Sequence, residues 1–155
     1  MHPPLARRFL ALMHLTRRKD LVVTNAGRDA GPEYIVSITN GKGERSLRQF
    51  GVFLRGTKSP VTDEQLNEVL RPTMQSLQRI GPFPYPVCLF HFTMDDDQGY
   101  STWVAEPEVG DDTPRLLMHE EAHCRKLDRA ALDEIVSRVD RWYDVFFARV
   151  AVKAS

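Results

Sequence analysis

The segment RQFGVFLRGT (residues 48–57) restricts the fold most, because it carries apolar side chains on both faces of a strand. Such a strand lies inside a sheet that is covered on both sides. It follows the alternating segment EYIVSIT (33–39) across NGKGE (40–44), where Asn-Gly tolerates the positive φ of a tight hairpin. The sequence therefore predicts a hairpin within a sheet that is flanked by helices.

Local signals predict two helices with defined starts after this hairpin. Thr62 and Gln65 have the spacing of a capping box at the start of a helix over residues 60–81. Pro72 is predicted to kink or divide that helix. Asp128 is placed to cap the final helix, since its carboxylate can accept a bond from a free backbone N–H. The apolar face of the final helix comprises Leu132, Ile135, Val139, Trp142 and Phe146.

The remaining segments complete the order of elements. A short first helix is indicated by the helical spacing of Leu5, Phe9, Leu12 and Met13. Residues 107–114 are predicted to be an exposed loop, and strands are predicted over residues 20–25, 87–92, 100–106 and, optionally, 115–120. The order αβββαββ(β)α predicts an α/β (α+β) sandwich with a mixed central sheet, formed as one domain over residues 1–155.

Charge and hydropathy exclude several classes of protein. Lys plus Arg and Asp plus Glu are balanced at 21 each, so a chain-wide basic footprint for nucleic acid is absent. No apolar run is long enough to span a bilayer, and arginines interrupt the apolar residues of the first segment, unlike a signal peptide. We therefore expect a cytoplasmic protein without membrane association.

The string HEEAH (residues 119–123) matches the H-E-x-x-H signature of zinc proteases. That reading assigns His119 and His123 as zinc ligands and Glu120 as the general base, and it requires one helix that carries all three. The best helix start lies after the motif, at Asp128, and no histidine follows His123. We therefore expect residues 115–119 to be extended and the two histidines not to converge on a metal; a zinc hydrolase is kept as an alternative.

A second group of polar residues is brought together by the predicted hairpin. Glu33 lies at the start of one strand, and the hairpin places it near Phe53 and Arg55 of the next strand. Phe53 and Arg55 are two residues apart and therefore share one face of the sheet. In a metal-dependent nuclease, acids at such positions hold Mg²⁺ and a lysine on the same face acts on the attacking water or the phosphate.

This arrangement resembles the PD-(D/E)XK nuclease superfamily, and in particular a bacterial family of unknown function numbered four-three-six-five. Asp29-Ala30-Gly31-Pro32-Glu33 is similar to the D-Y-G-x-D stretch of that family, and GVFLRGT (51–57) is similar to its G-V-Q-x-K-G/S-T strand. YPVCLFHF, YSTWVAE and the segment from Lys126 to Asp144 resemble its closing strands and helix. The likeness extends from about residue 5 to about residue 148 on a single-domain length, and it implies a restriction-endonuclease-like fold.

The resemblance also implies which positions have changed. Glu33 stands where the family has its metal-binding Asp, Phe53 stands where it has Gln, and Arg55 stands where it has the catalytic Lys. Phenylalanine cannot bind a metal, and arginine keeps the charge but cannot act as a base. The first helix lacks the acid that the family places there, while Asp29 remains and is also explained as a turn residue.

We therefore expect a nuclease-fold domain with a vestigial site at Glu33 and Arg55, beside Asp29 and Phe53. The leading hypothesis is a binding or assembly module for DNA, RNA or a protein partner, and the resemblance implies a bacterial mobile-element or defence setting. The first alternative is an active, divergent nuclease that uses Glu33 and Mg²⁺. Otherwise no cofactor is expected, and a homo-oligomer is left open.

Basic residues are the candidates for contact with nucleic acid. Near the vestigial site, the candidates are Arg45, Arg48, Arg55 and Lys58. A second group lies in and after the first helix and comprises Arg7, Arg8, Arg17, Arg18 and Lys19. The second group is interpreted as the solvated side of a surface helix, because the charge of the whole chain is balanced.

Overall fold

The computed structural model describes residues 3–26, 31–39 and 45–154. These residues form four helices and seven strands in an α+β arrangement, and the predicted order is confirmed in outline. The helices are α1 (Pro3–Leu15), α2 (Asp63–Val69), α3 (Arg71–Ile80) and α4 (Arg129–Ala154). The strands are β1 (Leu21–Asn25), β2 (Tyr34–Thr39), β3 (Arg45–Thr57), β4 (Val87–Thr93), β5 (Gln98–Gly110), β6 (Thr113–Met118) and β7 (Arg125–Lys126).

The strands form one mixed sheet in the order β1-β2-β3-β4-β5-β6, and the short β7 pairs with β5. β3 and β4 are parallel, and every other pairing is antiparallel. Helices α2 and α3 make the crossover that two parallel neighbours require. β3 lies between β2 and β4, which confirms that it is an interior strand.

The helix boundaries follow the local chemistry that the sequence indicated. The Thr62 hydroxyl accepts a bond from the Gln65 N–H at 3.2 Å, and the Gln65 side chain accepts one from the Thr62 N–H at 3.0 Å. The predicted helix over 60–81 is divided at Leu70, and Pro72 lies in the first turn of the second piece, where its missing N–H costs nothing. The Asp128 carboxylate accepts a bond from the Ala131 N–H at 2.8 Å and caps α4.

The predicted loop over residues 107–114 is wrong. β5 continues to Gly110 and β6 begins at Thr113, so a two-residue turn joins two paired strands. Asp111 and Asp112 both have positive φ values, 52° and 55°. Such values suit the turn that closes a twisted hairpin, and Asp tolerates them better than most side chains.

The sheet separates two apolar layers. α1 and α4 pack on one face, against side chains such as Val52, Leu54 and Phe90. α2 and α3 pack on the other face, against side chains such as Phe53 and Leu89. Alternation along β3 and β4 supplies both layers, because successive side chains point to opposite faces.

The predicted first helix is confirmed as α1, although its most apolar stripe does not face the sheet. Leu5, Phe9 and Met13 are 60%, 54% and 44% exposed. Ala11 and Leu15 are fully buried instead and make the contact with the sheet. Within the described ranges, no helix is long and apolar enough to cross a membrane.

Candidate functional site

Glu33 lies immediately before β2 and uses both carboxylate oxygens. Its Oε2 accepts a bond from the backbone N–H of Leu54 at 3.0 Å. Its Oε1 accepts a bond from Nη1 of Arg55 at 3.2 Å. The two predicted site residues, Glu33 and Arg55, are therefore brought together as a salt bridge.

The backbone of Leu54 explains this arrangement. β2 begins at Tyr34, which pairs with Val52, so no strand residue lies opposite Leu54 on that side of β3. The Leu54 N–H donates to Glu33, and the Leu54 carbonyl oxygen accepts a bond from Nη1 of Arg55 at 2.7 Å. The Glu33–Arg55 pair therefore completes both backbone hydrogen bonds of a buried residue at a point where the ladder has ended.

Phe53 occupies the third position of the predicted site and belongs to the core. It is 2% exposed, packs against the layer of α2 and α3, and meets Phe83 edge-on with ring centroids 5.9 Å apart. Arg55 shares this face of the sheet, being two residues further along β3. α1 packs on the opposite face, so an acid on the buried side of that helix would lie across the sheet from Arg55.

His91 is a neighbour that was not predicted as part of the site. It lies opposite Arg55 in the parallel pairing of β3 with β4 and is only 2% exposed. Its Nε2 lies 3.1 Å from the hydroxyl of Thr57, while Nδ1 has no partner among the described residues. Burial, and to a smaller extent Arg7, lower the pKa of His91 to about 4. The imidazole is therefore neutral near pH 7, and the only sequence signal for it was one polar residue in the apolar segment VCLFHF.

The donor atoms at this end of β3 do not fit Mg²⁺. Magnesium sites need several oxygen ligands and are usually built on carboxylates. Here both oxygens of Glu33 are engaged, a guanidinium lies 3.2 Å from one of them, and the next strand presents a neutral imidazole. Asp29 lies outside the described residues. In the part of the chain that the structure describes, no three His, Cys, Asp or Glu side chains are grouped as a metal site.

The four basic residues predicted near this site are not brought together. Arg48 pairs with Asp140 at 3.1 Å and with Asp144 at 2.6 Å, and its guanidinium lies over the ring of Phe147. It therefore faces α4, and the seven residue steps from Arg48 to Arg55 correspond to about 23 Å of strand. Lys58 is exposed just beyond β3, and the side chain of Arg45 lies outside the described residues. Of these four residues, Arg55 and Lys58 lie at the Glu33 end of the strand.

The zinc-protease motif has the geometry that the sequence predicted. Residues 115–118 are extended in β6, residues 119–124 are not helical, and α4 begins at Arg129. Nε2 of His119 lies 2.6 Å from Oε1 of Glu106, while the ring centroids of His119 and His123 are 6.2 Å apart and nearly perpendicular. The helix that would direct both imidazoles to one ion is therefore not formed.

Glu106 anchors His119 to the final helix. Its other oxygen accepts a bond from Arg138 at 2.6 Å, and Arg138 also donates to the carbonyl oxygen of Pro107. Burial alone would raise the pKa of Glu106, but the bonds from Arg138 and His119 bring it below its ordinary value. His119 therefore takes part in a contact between β5, β6 and α4. Glu120 and Glu121 are exposed beside it.

Comparison of the chain with protein-family models, with curated proteins and with solved structures found no match.

Proposed function

We propose that this chain is a nuclease-fold domain without catalytic activity that binds a partner. The observation that carries the proposal is the use of Glu33 and Arg55 to complete the hydrogen bonds of Leu54. If the resemblance of the sequence to PD-(D/E)XK nucleases is followed, these two positions correspond to the metal-binding acid and the catalytic lysine. A carboxylate that is held by a backbone N–H and a guanidinium has little capacity left for Mg²⁺.

The middle position supports the same proposal. The family's polar residue is replaced by Phe53, which is buried against Phe83. A phenyl ring provides neither a metal ligand nor a hydrogen bond to an attacking water. The neighbouring His91 is buried and neutral, so it does not supply the positive charge that phosphoryl transfer requires.

A protein partner fits the charges better than nucleic acid does. Arg48 is paired with two aspartates and Arg55 with Glu33, so neither arginine offers an unneutralised charge to a phosphate. The net charge of the chain is zero. Non-specific affinity for DNA or RNA comes almost entirely from unneutralised Lys and Arg near phosphates.

A nuclease assay tests the absence of activity. Purified wild type and Glu33→Ala are incubated with single- and double-stranded DNA and RNA in Mg²⁺ or Mn²⁺. We expect no cleavage above a protein-free control for either variant. Cleavage by the wild type that disappears in Glu33→Ala, while circular dichroism shows that variant to be folded, would instead establish the divergent nuclease, with Glu33 as its metal ligand.

A binding assay tests the choice of partner. We expect no shift of labelled DNA or RNA by the wild type at low ionic strength. A contrary result would be a shift that weakens steeply with salt, since phosphate contacts release counterions. Lys58→Glu is the matched variant for that outcome, because Lys58 is the exposed cation closest to the end of β3.

A further inference from the structure

A contiguous apolar stripe is exposed on α1. Leu5, Phe9 and Met13 are spaced by four residues, so they lie above one another on one side of the helix. They are 60%, 54% and 44% exposed. Single exposed apolar residues are ordinary on soluble proteins, but a continuous row of three large ones marks a surface for contact.

A groove of about 570 Å³ lies beside this stripe. Phe9, Leu10 and Met13 form one wall on α1, and Met94 and Leu127 form part of the opposite wall. Methionine side chains are flexible and polarisable, so two of them allow the groove to fit apolar side chains of different shapes. The groove is large enough for the apolar side of a short helix rather than for one isolated side chain.

One end of the groove is cationic. It continues into a second hollow of about 450 Å³, and the two share His14, Arg17 and Asp128. Arg17, Lys19 and Arg129 line this hollow and pair with no acid among the described residues. The acids nearby are already engaged, since Asp20 and Asp133 bind Arg18 and Asp128 caps α4. The groove is therefore apolar along α1 and positive beyond its C-terminal end.

We propose that the groove binds an acidic amphipathic helix of a partner protein. Apolar residues of that helix, four positions apart, would fit between Phe9, Met13 and Met94, and carboxylates at one end would meet Arg17, Lys19 and Arg129. Binding of a helix by an apolar groove is a recurrent mode of recognition. Charge complementarity at the end of the groove would fix the direction in which the helix lies.

The charges argue against a second copy of this chain as the occupant. The first nineteen residues contain five Lys and Arg and no Asp or Glu. Two copies that met through α1 would place these like charges side by side, which costs affinity. The concave form of the groove argues against an anionic lipid surface, since a flat bilayer meets projecting side chains and leaves a groove unfilled.

The inference rests on the protein partner of the proposed function, but it concerns the opposite face of the sheet from Glu33. Nuclease activity of the wild type would overturn the proposed function and would leave peptide binding to α1 unaffected. Failure to enrich any peptide would overturn the inference and would leave the absence of nuclease activity unaffected. The two ideas can therefore fail separately.

A displayed library of random peptides about fourteen residues long, roughly four helical turns, provides the probe. Selection on the full chain is expected to enrich peptides with net negative charge and apolar residues four positions apart. Phe9→Asp should weaken binding of the enriched peptides at least about tenfold, as for the removal of a central anchor. Val150→Asp is the matched control, because Val150 is also an apolar residue that is 50% exposed, on α4. The Val150→Asp protein should bind the enriched peptides as tightly as the wild type does.

Two further variants keep the test decisive. Arg17→Glu with Lys19→Glu should weaken the same peptides at least about tenfold at low salt, and Met13→Asp replaces Phe9→Asp if the latter fails to fold. The proposal is overturned if nothing is enriched, if the enriched peptides carry no acidic bias, or if Phe9→Asp and Val150→Asp bind alike. Light scattering that shows a dimer abolished by Phe9→Asp would assign the surface to a second copy. Binding to phosphatidylglycerol vesicles that is lost in Phe9→Asp would assign it to lipid.

Discussion

Replacement of Glu33 by alanine should lower the free energy of unfolding rather than raise it. The substitution removes the acceptor of the Leu54 N–H, which belongs to a residue with 0% exposure. An unsatisfied buried N–H costs about 1–3 kcal/mol. The lost pair with Arg55 adds about 0.5 kcal/mol, because both side chains are partly exposed and water screens the interaction. We expect the free energy of unfolding to fall by about 1.5–3.5 kcal/mol.

Two related substitutions separate these contributions. Glu33→Gln keeps one oxygen for the Leu54 N–H but turns an amide donor toward Arg55, so a loss of about 1 kcal/mol is expected. Arg55→Met removes the bond to the Leu54 carbonyl oxygen and the ion pair, again at about 1 kcal/mol. A double-mutant cycle of Glu33→Ala and Arg55→Met should give a coupling of about 0.5–1 kcal/mol. Urea unfolding at neutral pH measures all four variants.

The matched control is the exposed ion pair between Glu68 and Arg71, whose side chains are 69% and 50% exposed. Glu68→Ala should change stability by less than about 0.5 kcal/mol. A loss in Glu33→Ala no larger than that of Glu68→Ala would refute the structural role of the carboxylate. A gain in stability would instead favour a catalytic role for Glu33, because removal of a catalytic group commonly stabilises an enzyme.

Three further predictions concern buried groups. The pKa of His91 is lowered from 6.5 to about 4 in the folded protein, so unfolding takes up a proton between pH 4 and 6.5. The free energy of unfolding should therefore fall by about 3 kcal/mol as the pH drops through this range. A plot of unfolding free energy against pH that is no steeper for the wild type than for His91→Gln would contradict this. Burial raises the pKa of Cys88, and it raises that of Cys124 to about 12, so Ellman's reagent should label neither thiol quickly at pH 8 but both in urea. A Cβ on Gly51 would lie 2.7 Å from the ring of Pro32, so Gly51→Ala should lower the free energy of unfolding by about 1–3 kcal/mol. An unchanged midpoint of thermal or urea unfolding would show that Pro32 moves aside without loss of stability.

The order of elements could be predicted because its signals are local. Thr62, Pro72 and Asp128 each act within one helical turn, and the structure confirms all three. The interior position of β3 followed from apolar residues on both of its faces. The loop predicted over 107–114 was wrong because polar residues and glycine also occur in edge strands, and only pairing with β5 identifies the continuation.

The orientation of α1 could not be predicted from periodicity. Helical spacing shows that a row of apolar residues exists, but it does not show what covers that row. The buried side of α1 is formed by Ala11 and Leu15, where a small residue allows close approach to the sheet. Leu5, Phe9 and Met13 face away from it.

The candidate site was only partly predictable. The hairpin register brought Glu33 to Arg55, as expected, because β2 and β3 are antiparallel neighbours. The bonds to Leu54 could not be foreseen, since they depend on the residue at which β2 begins. Arg48 and Arg55 are close in sequence but do not share a face, because they are seven positions apart and an odd spacing puts side chains on opposite faces of a strand.

The contacts of Glu33 and Arg55 with Leu54 and the exposed apolar stripe of α1 lie on opposite faces of one sheet. Glu33 and Arg55 complete the backbone hydrogen bonds of Leu54, so side chains of this chain fix the end of β3. α1 lies on the opposite face and contributes no acid to that end of the strand. The outward side of this helix carries the exposed side chains of Phe9 and Met13. A sheet whose strand end is fixed on one face by a salt bridge thus offers a rigid framework for the binding that we propose on the other face.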